Sequence, residues 1–324
     1  MASTRKWDLP SNIESQPCVR SVMMFLADIT GDRIITGQHT QTMEMEELTK
    51  IREVTGKEPA LLGFELLSYS PNINEQDTDE ECMTEVRENR DTLRHAWEWA
   101  EKKGLITFTW HWFSPMYGHS KSFFTKNTEY DAWQAVNEGT PEHEALLSDL
   151  DHMAGLLRPF CEKGVPILWR PFHEMDGTWF WWGREGAEPA KRLWRIMYKR
   201  FTEVHHLTNL IWVWNAEHAE FYPGDDVVDI ISRDMYPEAH EHTARQEEYA
   251  AMERIPGEPK LVLIGEIGVI PDVKELHKKH VGWSSYMTWS KDYCLTEKFN
   301  TFDELRKVYD SPYAVTKDEL PVLY

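Results

Sequence analysis

Short apolar runs rich in Val, Ile, Leu and Trp recur along the chain, each closing on polar or aromatic residues, and stretches of helical periodicity lie between most of them. The first run, 34–37, reads as a strand ending at Gln38 and His39, and an amphipathic helix follows over 43–54. A second strand covers 60–65. A polar loop with Asn72, Asn74 and Asp77 then leads to one long helix, about 78–103, with Val86, Leu93, Trp97 and Ala100 at helical spacing and Gly104 capping its end. A third strand, 105–110, delivers His111, Trp112 and Phe113 beyond its end. The loop after it, 114–141, is rich in Tyr, Phe and Trp, and structureless segments of that length in a compact domain usually serve a function.

Helix signals resume over 144–161 and stop at Gly164. Residues 165–169 have the length and apolar character of a strand buried on both faces, and Pro171 ends its ladder. A helix over 189–206 precedes a fifth strand, 210–214, that ends at Asn215; 227–231 leads to a sixth that ends near 234–237. A helix over 243–255, a seventh strand over 261–264, an eighth over 283–289 and a last helix over 302–309 complete the series. Eight strands, most of them separated by helix, fit a single (β/α)8 TIM barrel of class α/β better than an open doubly wound sheet. One domain over 1–324 is expected, its barrel at about 34–310 with both terminal extensions packed on it. No Gly-x-Gly-x-x-Gly turn follows the first strand, which removes the main argument for dinucleotide binding.

In such barrels the active site lies at the carboxyl ends of the strands. That rule gathers Gln38, His39, Glu65, His111, Arg170, His173, Glu174, Asn215, Tyr236, Glu266 and Trp289 at one mouth. The segment after the fourth strand is the most crowded: Arg170, His173, Glu174 and Asp176 are followed by Trp179, Phe180, Trp181 and Trp182. Titratable groups packed this densely cost desolvation energy in a plain core. A carboxyl beside a wall of indoles has its pKa raised and can donate a proton near neutral pH, which makes Glu174 the candidate acid. Glu266 follows four aliphatic residues and sits between Gly265 and Gly268, which are expected to let a ligand approach closely; the plainer alternative is a structural carboxylate paired with Arg170. Two such carboxylates are the parts needed to cleave a glycosidic bond, and Trp and Tyr faces suit the apolar faces of sugar rings.

Composition narrows the partners. A formal charge of −20 argues against nucleic acid or an anionic membrane surface and is easier to reconcile with a neutral substrate. No window approaches the length of a membrane helix, and the start lacks the apolar core of a signal peptide. The four cysteines, Cys18, Cys82, Cys161 and Cys294, lie far apart without metal-type spacing; two disulfides or four buried thiols both fit. His277 with His280, and His240 with His242, are local histidine clusters that read as solvated surface. No metal is expected.

The run from Trp169 to Gly177, Trp-Arg-Pro-Phe-His-Glu-Met-Asp-Gly, with Trp179-Phe-Trp-Trp-Gly183, closely resembles the signature of glycoside hydrolase family 26, largely endo-β-1,4-mannanases in the clan of retaining (β/α)8 glycosidases. His111, Tyr236, Glu266 and Trp289 fall in register with it. The resemblance implies that Glu174 is the acid/base and Glu266 the nucleophile, that His111 and His173 contact the sugar before the cut, that Tyr236 holds the nucleophile, and that Trp179 and Trp289 are stacking platforms. Trp112, Arg170 and Asn215 are counted with the substrate contacts. Glu65 stands where many relatives have an aspartate. Glu266 must be ionised to attack, and Arg170 and Tyr236 are its candidate donors. A retaining outcome needs the two carboxyls roughly 5–5.5 Å apart.

A monomer acting on β-mannan without a cofactor is therefore expected, with a secreted or cell-surface protein whose leader has been removed favoured, and a cytoplasmic one if Met1 is the native start. Mixed-linkage β-glucan and β-1,3-xylan are alternative substrates for the same catalytic pair, and the loops at 114–141 and 216–226 are expected to choose among them. A non-catalytic carbohydrate-binding barrel is disfavoured by retention of both Glu174 and Glu266. An isomerase or aldolase is disfavoured by the lack of a strand-end lysine or a phosphate-binding glycine loop.

Overall fold

The computed structural model describes residue 7 and residues 9–41, 43–76, 78–116 and 122–324. Asp77 and residues 117–121 of the long aromatic loop lie outside them. Its strands are β1 (Ile34–Ile35), β2 (Gly37–His39), β3 (Leu61–Glu65), β4 (Leu105–Thr109), β5 (Ile167–Arg170), β6 (Leu210–Asn215), β7 (Ile230–Met235), β8 (Leu261–Ile267) and β9 (Ala314–Val315). Strands β2 to β8 lie side by side in chain order as one parallel seven-stranded sheet, so the class is α/β. β3, β4, β5, β6 and β8 are buried along their whole length, as befits parallel strands covered on both faces. The expected first strand is two pieces: β1 turns aside to pair with β9, and only β2 joins the sheet.

The segment 283–288, expected as an eighth strand, is not a continuous one. It makes isolated parallel bridges to both edges of the sheet, Trp283 with Val262 and Thr288 with Ile267 on one side, Ser285 with Ile35 and Thr288 with Gln38 on the other. Backbone bonds run both ways as well: the N–H of Ile267 donates to Met287 O and that of His39 to Thr288 O, each at 2.8 Å. Sharing its pairing groups between two edges leaves neither side a regular ladder.

The helices are α1 (Pro17–Ile29), α2 (Glu46–Thr55), α3 (Glu80–Glu88), α4 (Thr92–Glu101), α5 (Ala132–Ala135), α6 (Pro141–Glu162), α7 (Ala187–Lys199), α8 (Gln246–Met252), α9 (Val273–Lys279), α10 (Asp292–Leu295) and α11 (Phe302–Tyr309). The single helix expected over 78–103 is α3 and α4. Buried Asn89 breaks it, because its side chain donates to Gln41 Oε1 and its carbonyl is claimed by the hydroxyls of Ser68 and Thr92, while Asp91 adopts a left-handed φ of 64°. α6 begins earlier than expected, since Thr140 accepts the N–H of His143 and Pro141 fills the first turn, where its missing N–H costs nothing. The last turn expected of the 189–206 helix, Arg200–Val204, winds as π-helix.

Two apolar layers result. One lies between the sheet and its surrounding helices and holds most of the tryptophans, among them Trp110, Trp169, Trp194 and Trp212. The other is built from Leu61, Leu105, Leu168, Ile211, Ile230 and Leu261, at the start of their strands or one residue on, packed with Val19, Val22, Met23 and Leu26 of α1. α1, for which no expectation was formed, therefore covers the end of the sheet opposite the strand-end polar residues. All four cysteines are free and buried. No helix among the described residues is long and apolar enough to cross a membrane.

Glu47 of α2 fixes the rim near Trp289. Fully buried, its carboxylate accepts the Thr40 hydroxyl at 3.0 Å and the backbone N–H groups of Gln41 at 3.1 Å and Lys291 at 3.0 Å. Truncation takes this acceptor from the buried Thr40 hydroxyl and from the part-buried N–H groups of Gln41 and Lys291, and an orphaned buried donor costs about 1–3 kcal/mol. Glu47→Ala should therefore lower the unfolding free energy in urea by about 1–3 kcal/mol, with Glu47→Gln losing less; a change of a few tenths in Glu47→Ala would contradict the assignment.

Candidate active site

The turn after β5 is strained in a defined way. Pro171 removes the donor needed to extend the ladder, and the chain then passes through left-handed conformations at Phe172 and Glu174, both at φ 49°. Such conformations cost a non-glycine residue about 1–3 kcal/mol and persist where the surroundings over-determine them. Here β6 does so: Asn215 takes the N–H of Glu174 on its side-chain oxygen at 2.6 Å and the N–H of Met175 on its backbone oxygen at 3.1 Å. Trp182 donates to the carbonyl of His173 at 2.9 Å. Glu174 is thereby held over the sheet's carboxyl end, where Trp179 Nε1 donates to its Oε2 at 2.6 Å.

Three carboxylates meet there. One oxygen each of Glu174, Asp234 and Glu266 lies within 4.8 Å of the other two. Arg170, almost fully buried, donates from Nη1 to both oxygens of Asp234, at 2.9 and 3.2 Å, and from Nη2 to Thr109 Oγ1 and Glu266 Oε1. Tyr236 donates its hydroxyl to Glu266 Oε2 at 2.7 Å. Glu266 thus has a donor on each oxygen. Glu174 has the single indole N–H, and burial, followed by the charge of Glu266, pushes its carboxyl pKa up. Burial also pushes Asp234 up, against the pull of Arg170.

The glycines around Glu266 serve the protein rather than a ligand. A Cβ on Gly265 would stand 2.5 Å from Asp234 Oδ1 and 2.7 Å from Asn215 Nδ2, and one on Gly268 would meet the rings of Tyr293 and Tyr236. The plainer expectation for Glu266, pairing with Arg170, is also correct; pairing and exposure to Glu174 occur together.

A histidine group adjoins the carboxylates. Glu65 Oε2 holds His111 Nδ1 at 2.6 Å while Oε1 accepts the N–H of His111 and of Leu67, each at 2.8 Å. His111 Nε2 meets His173 Nε2 at 3.0 Å. Burial opposes charge on His111, but the Glu65 carboxylate outweighs it and raises its pKa, whereas burial and the neighbouring positive groups drive His173 and His39 well down. His39 stacks on Trp289 at 4.0 Å between ring centroids.

Open space flanks the carboxylates on two sides. A cavity of about 190 Å³ is lined by His39, Glu65, His111, Phe180 and Trp289 and extends to Gln41, Glu85 and Lys291. A second, of about 300 Å³, is lined by Glu174, Asp176, Trp179, Asn215 and His218. In the second, Asp176 Oδ2 accepts the backbone N–H groups of Glu217 and His218 and pairs with His218 Nδ1 at 2.5 Å, which fixes an otherwise exposed ring on the wall. Trp179 is half exposed beside it.

Most of the expected site residues converge here; Trp112 does not. It is 1% exposed, stacks on Trp110 at 4.1 Å and donates to Asp149, so it presents no open face for a sugar. Arg170 and Asn215, expected among the substrate contacts, are committed to holding Asp234, Glu266 and Glu174. Asp234 and His218 were missed, although the strand-end rule that selected Tyr236 also applied to Asp234. Two described groups have the spacing to hold a metal ion: these three carboxylates, where Arg170 already supplies the positive charge, and His240, His242 and Glu304.

Residues 11–319 match the family model described as Glycosyl hydrolase family 26. The chain is 32% identical over 320 residues to a mannan endo-1,4-beta-mannosidase of Thermothelomyces thermophilus, covering 96% of this chain and 63% of that protein. A mannan endo-1,4-beta-mannosidase B of Piromyces sp is also 32% identical, with 96% and 53% covered. This chain therefore spans somewhat over half the length of these relatives. Among solved structures, a Podospora anserina GH26-CBM35 β-(1,4)-mannanase superposes with a TM-score of 0.85 at 32% identity, over 98% of this chain and 71% of that one. A β-mannanase from a symbiotic protist of the termite Reticulitermes speratus, complexed with gluco-manno-oligosaccharide, gives a TM-score of 0.86 at 30% identity, over 97% and 98%. With a match spanning almost the whole chain and its signature segment forming the carboxylate-bearing turn, this protein belongs to glycosyl hydrolase family 26.

Proposed function

We propose that this protein is a retaining endo-β-1,4-mannanase in which Glu266 is the nucleophile and Glu174 the acid/base. The observation that supports it most is the asymmetric carboxylate pair: oxygens within 4.8 Å, one group buried and bonded by Arg170 and Tyr236, the other partly buried with a single indole donor and a raised pKa. Environments that push two carboxyls apart assign their roles, and a gap this small leaves no room for the water that an inverting enzyme places between them. Glu266 attacks the anomeric carbon while Glu174 gives its proton to the departing glycosidic oxygen. Glu174, now a base, takes a proton from water, and that water displaces Glu266 from the sugar.

The sugar before the cut would lie against His111 and Trp289, with His173 beneath. The sugar being released would lie between Trp179 and His218. Cavities on both sides of the carboxylates support cleavage within a chain. The bridges from 283–288 to both edges support a closed (β/α)8 barrel with that segment in the eighth position, and we treat 1–324 as a single domain. A monomer working on a polymer outside the cell fits this chemistry, which needs no cofactor. The relative complexed with gluco-manno-oligosaccharide and the two mannan endo-1,4-beta-mannosidases support mannan or glucomannan as the substrate.

Reducing-sugar release from galactomannan, glucomannan, barley β-glucan and β-1,3-xylan tests the reaction and the substrate together. Mannan cleavage should fall about 10²- to 10⁴-fold in Glu174→Ala and at least as far in Glu266→Ala. Cleavage of the β-glucan alone would keep the chemistry and replace the substrate; full activity in either variant would sink the catalytic assignment. NMR of the first-formed product should show the β-anomer, and an α-anomer would refute the retaining pathway.

The pH profile offers a second check. Glu174 has to be protonated at the start, so kcat/KM declines on the basic side as it ionises. The Trp179 indole N–H stabilises the ionised form. Trp179→Phe removes that donor and leaves a ring, so the basic limb should move to higher pH even as kcat/KM drops. A limb that stays in place or moves down would show that Glu174 does not govern it.

A further inference from the structure

We propose that His240, His242 and Glu304 form a binding site for a divalent transition-metal ion, with Zn²⁺ the best fit, between the loop that follows β7 and the first turn of α11. His240 and His242 lie between β7 and α8, and Glu304 is in the first turn of α11, 62 residues beyond His242. One ligand atom from each lies within 4.8 Å of the other two. His242 Nε2 is 2.9 Å, and His240 Nδ1 3.7 Å, from Glu304 Oε2. Tetrahedral zinc with ligands at about 2.0–2.2 Å separates neighbouring ligand atoms by about 3.3 Å, so small side-chain shifts suffice.

The supporting groups are already in place. His242 donates from Nδ1 to the carbonyl of Ile270 at 2.6 Å, the backbone-carbonyl contact that orients metal-binding imidazoles and leaves the other nitrogen free to ligate. That other nitrogen, Nε2, is buried and makes no hydrogen bond, despite its closeness to Glu304. Glu304 is itself aimed by a capping box, its Oε2 accepting the N–H and hydroxyl of Thr301 at 2.8 and 2.9 Å. Backbone bonds from His240 to Phe299 and from Asp272 to His242 fasten the same loops together.

With Nδ1 carrying its hydrogen, the lone pair of Nε2 faces a carboxylate oxygen, and that arrangement calls for a cation between them. A proton on Nε2 answers for His242 and Glu304 alone; a metal ion also engages His240. Two imidazoles and one carboxylate select zinc, copper or nickel over calcium and magnesium, which prefer all-oxygen sets. With a water in the fourth position, the ion would clamp α11 to the loop that begins beyond Tyr236. This reading stands apart from the proposed hydrolytic function.

The test uses the full chain, free of any affinity tag and stripped with EDTA, titrated calorimetrically with ZnCl₂ or CaCl₂ and followed by thermal unfolding. His240→Ala removes a ligand from a half-exposed position, and Glu304→Gln keeps the helix cap. Wild type should bind one Zn²⁺ that both variants weaken by about tenfold or more, and Zn²⁺ should raise the Tm of wild type but not of His240→Ala. CaCl₂ should do neither. No binding at micromolar Zn²⁺, or equal affinity in wild type and His240→Ala, would overturn the proposal.

Discussion

A single buried guanidinium organises the mouth of this sheet. Arg170 stands at the end of β5 and reaches three other strands, Thr109 of β4, Asp234 of β7 and Glu266 of β8, with all the charged partners 3–5% exposed. Charges taken this far from water are tolerated only when paired, and breaking such a pair strands an uncompensated charge at a cost of about 3–5 kcal/mol. The ion pairs therefore act less as a source of stability than as a constraint: the strand ends must keep one relative position or leave a charge alone. Gly265 belongs to the same constraint, since any side chain there would displace Asp234 and Asn215.

On this rigid base the protein mounts a strained turn. Phe172 and Glu174 hold left-handed conformations because Asn215, itself bonded to Asp234 and Ser232, takes up the backbone of the turn. Strain and support share one network, so Glu174 is positioned by the same residues that position Glu266. What separates the two is their donors. Glu266 is bonded on both oxygens, while Glu174 has one indole N–H, which is the difference in environment that an acid and a nucleophile require.

The histidines extend this logic outward. Glu65 spans from β3 to both the backbone and the ring of His111 and raises its pKa, while burial and the neighbouring positive groups lower that of His173. On the opposite wall Asp176 does for His218 what Glu65 does for His111. Each wall of the cleft thus pairs a carboxylate-held imidazole with a tryptophan, His111 with Trp289 and His218 with Trp179.

The sequence by itself determined the order of the seven parallel strands and most of the helices between them, the polar strand-end mouth, and the strand-end positions of Glu174 and Glu266, because periodicity and strand-end position are local properties of the chain. It also carried the start of α6 in Thr140 and Pro141, a local cap signal. What only the tertiary structure decided was pairing across distance. Asn89 breaks a helix because Gln41 and Ser68 reach it, 283–288 is irregular because it answers to two edges, and Trp112 is core because Trp110 and Asp149 claim it. Asp234 and Glu304 likewise acquire their meaning from partners 64 and 62 residues away, Arg170 and His242, and no local pattern encodes which distant group will arrive beside a given side chain.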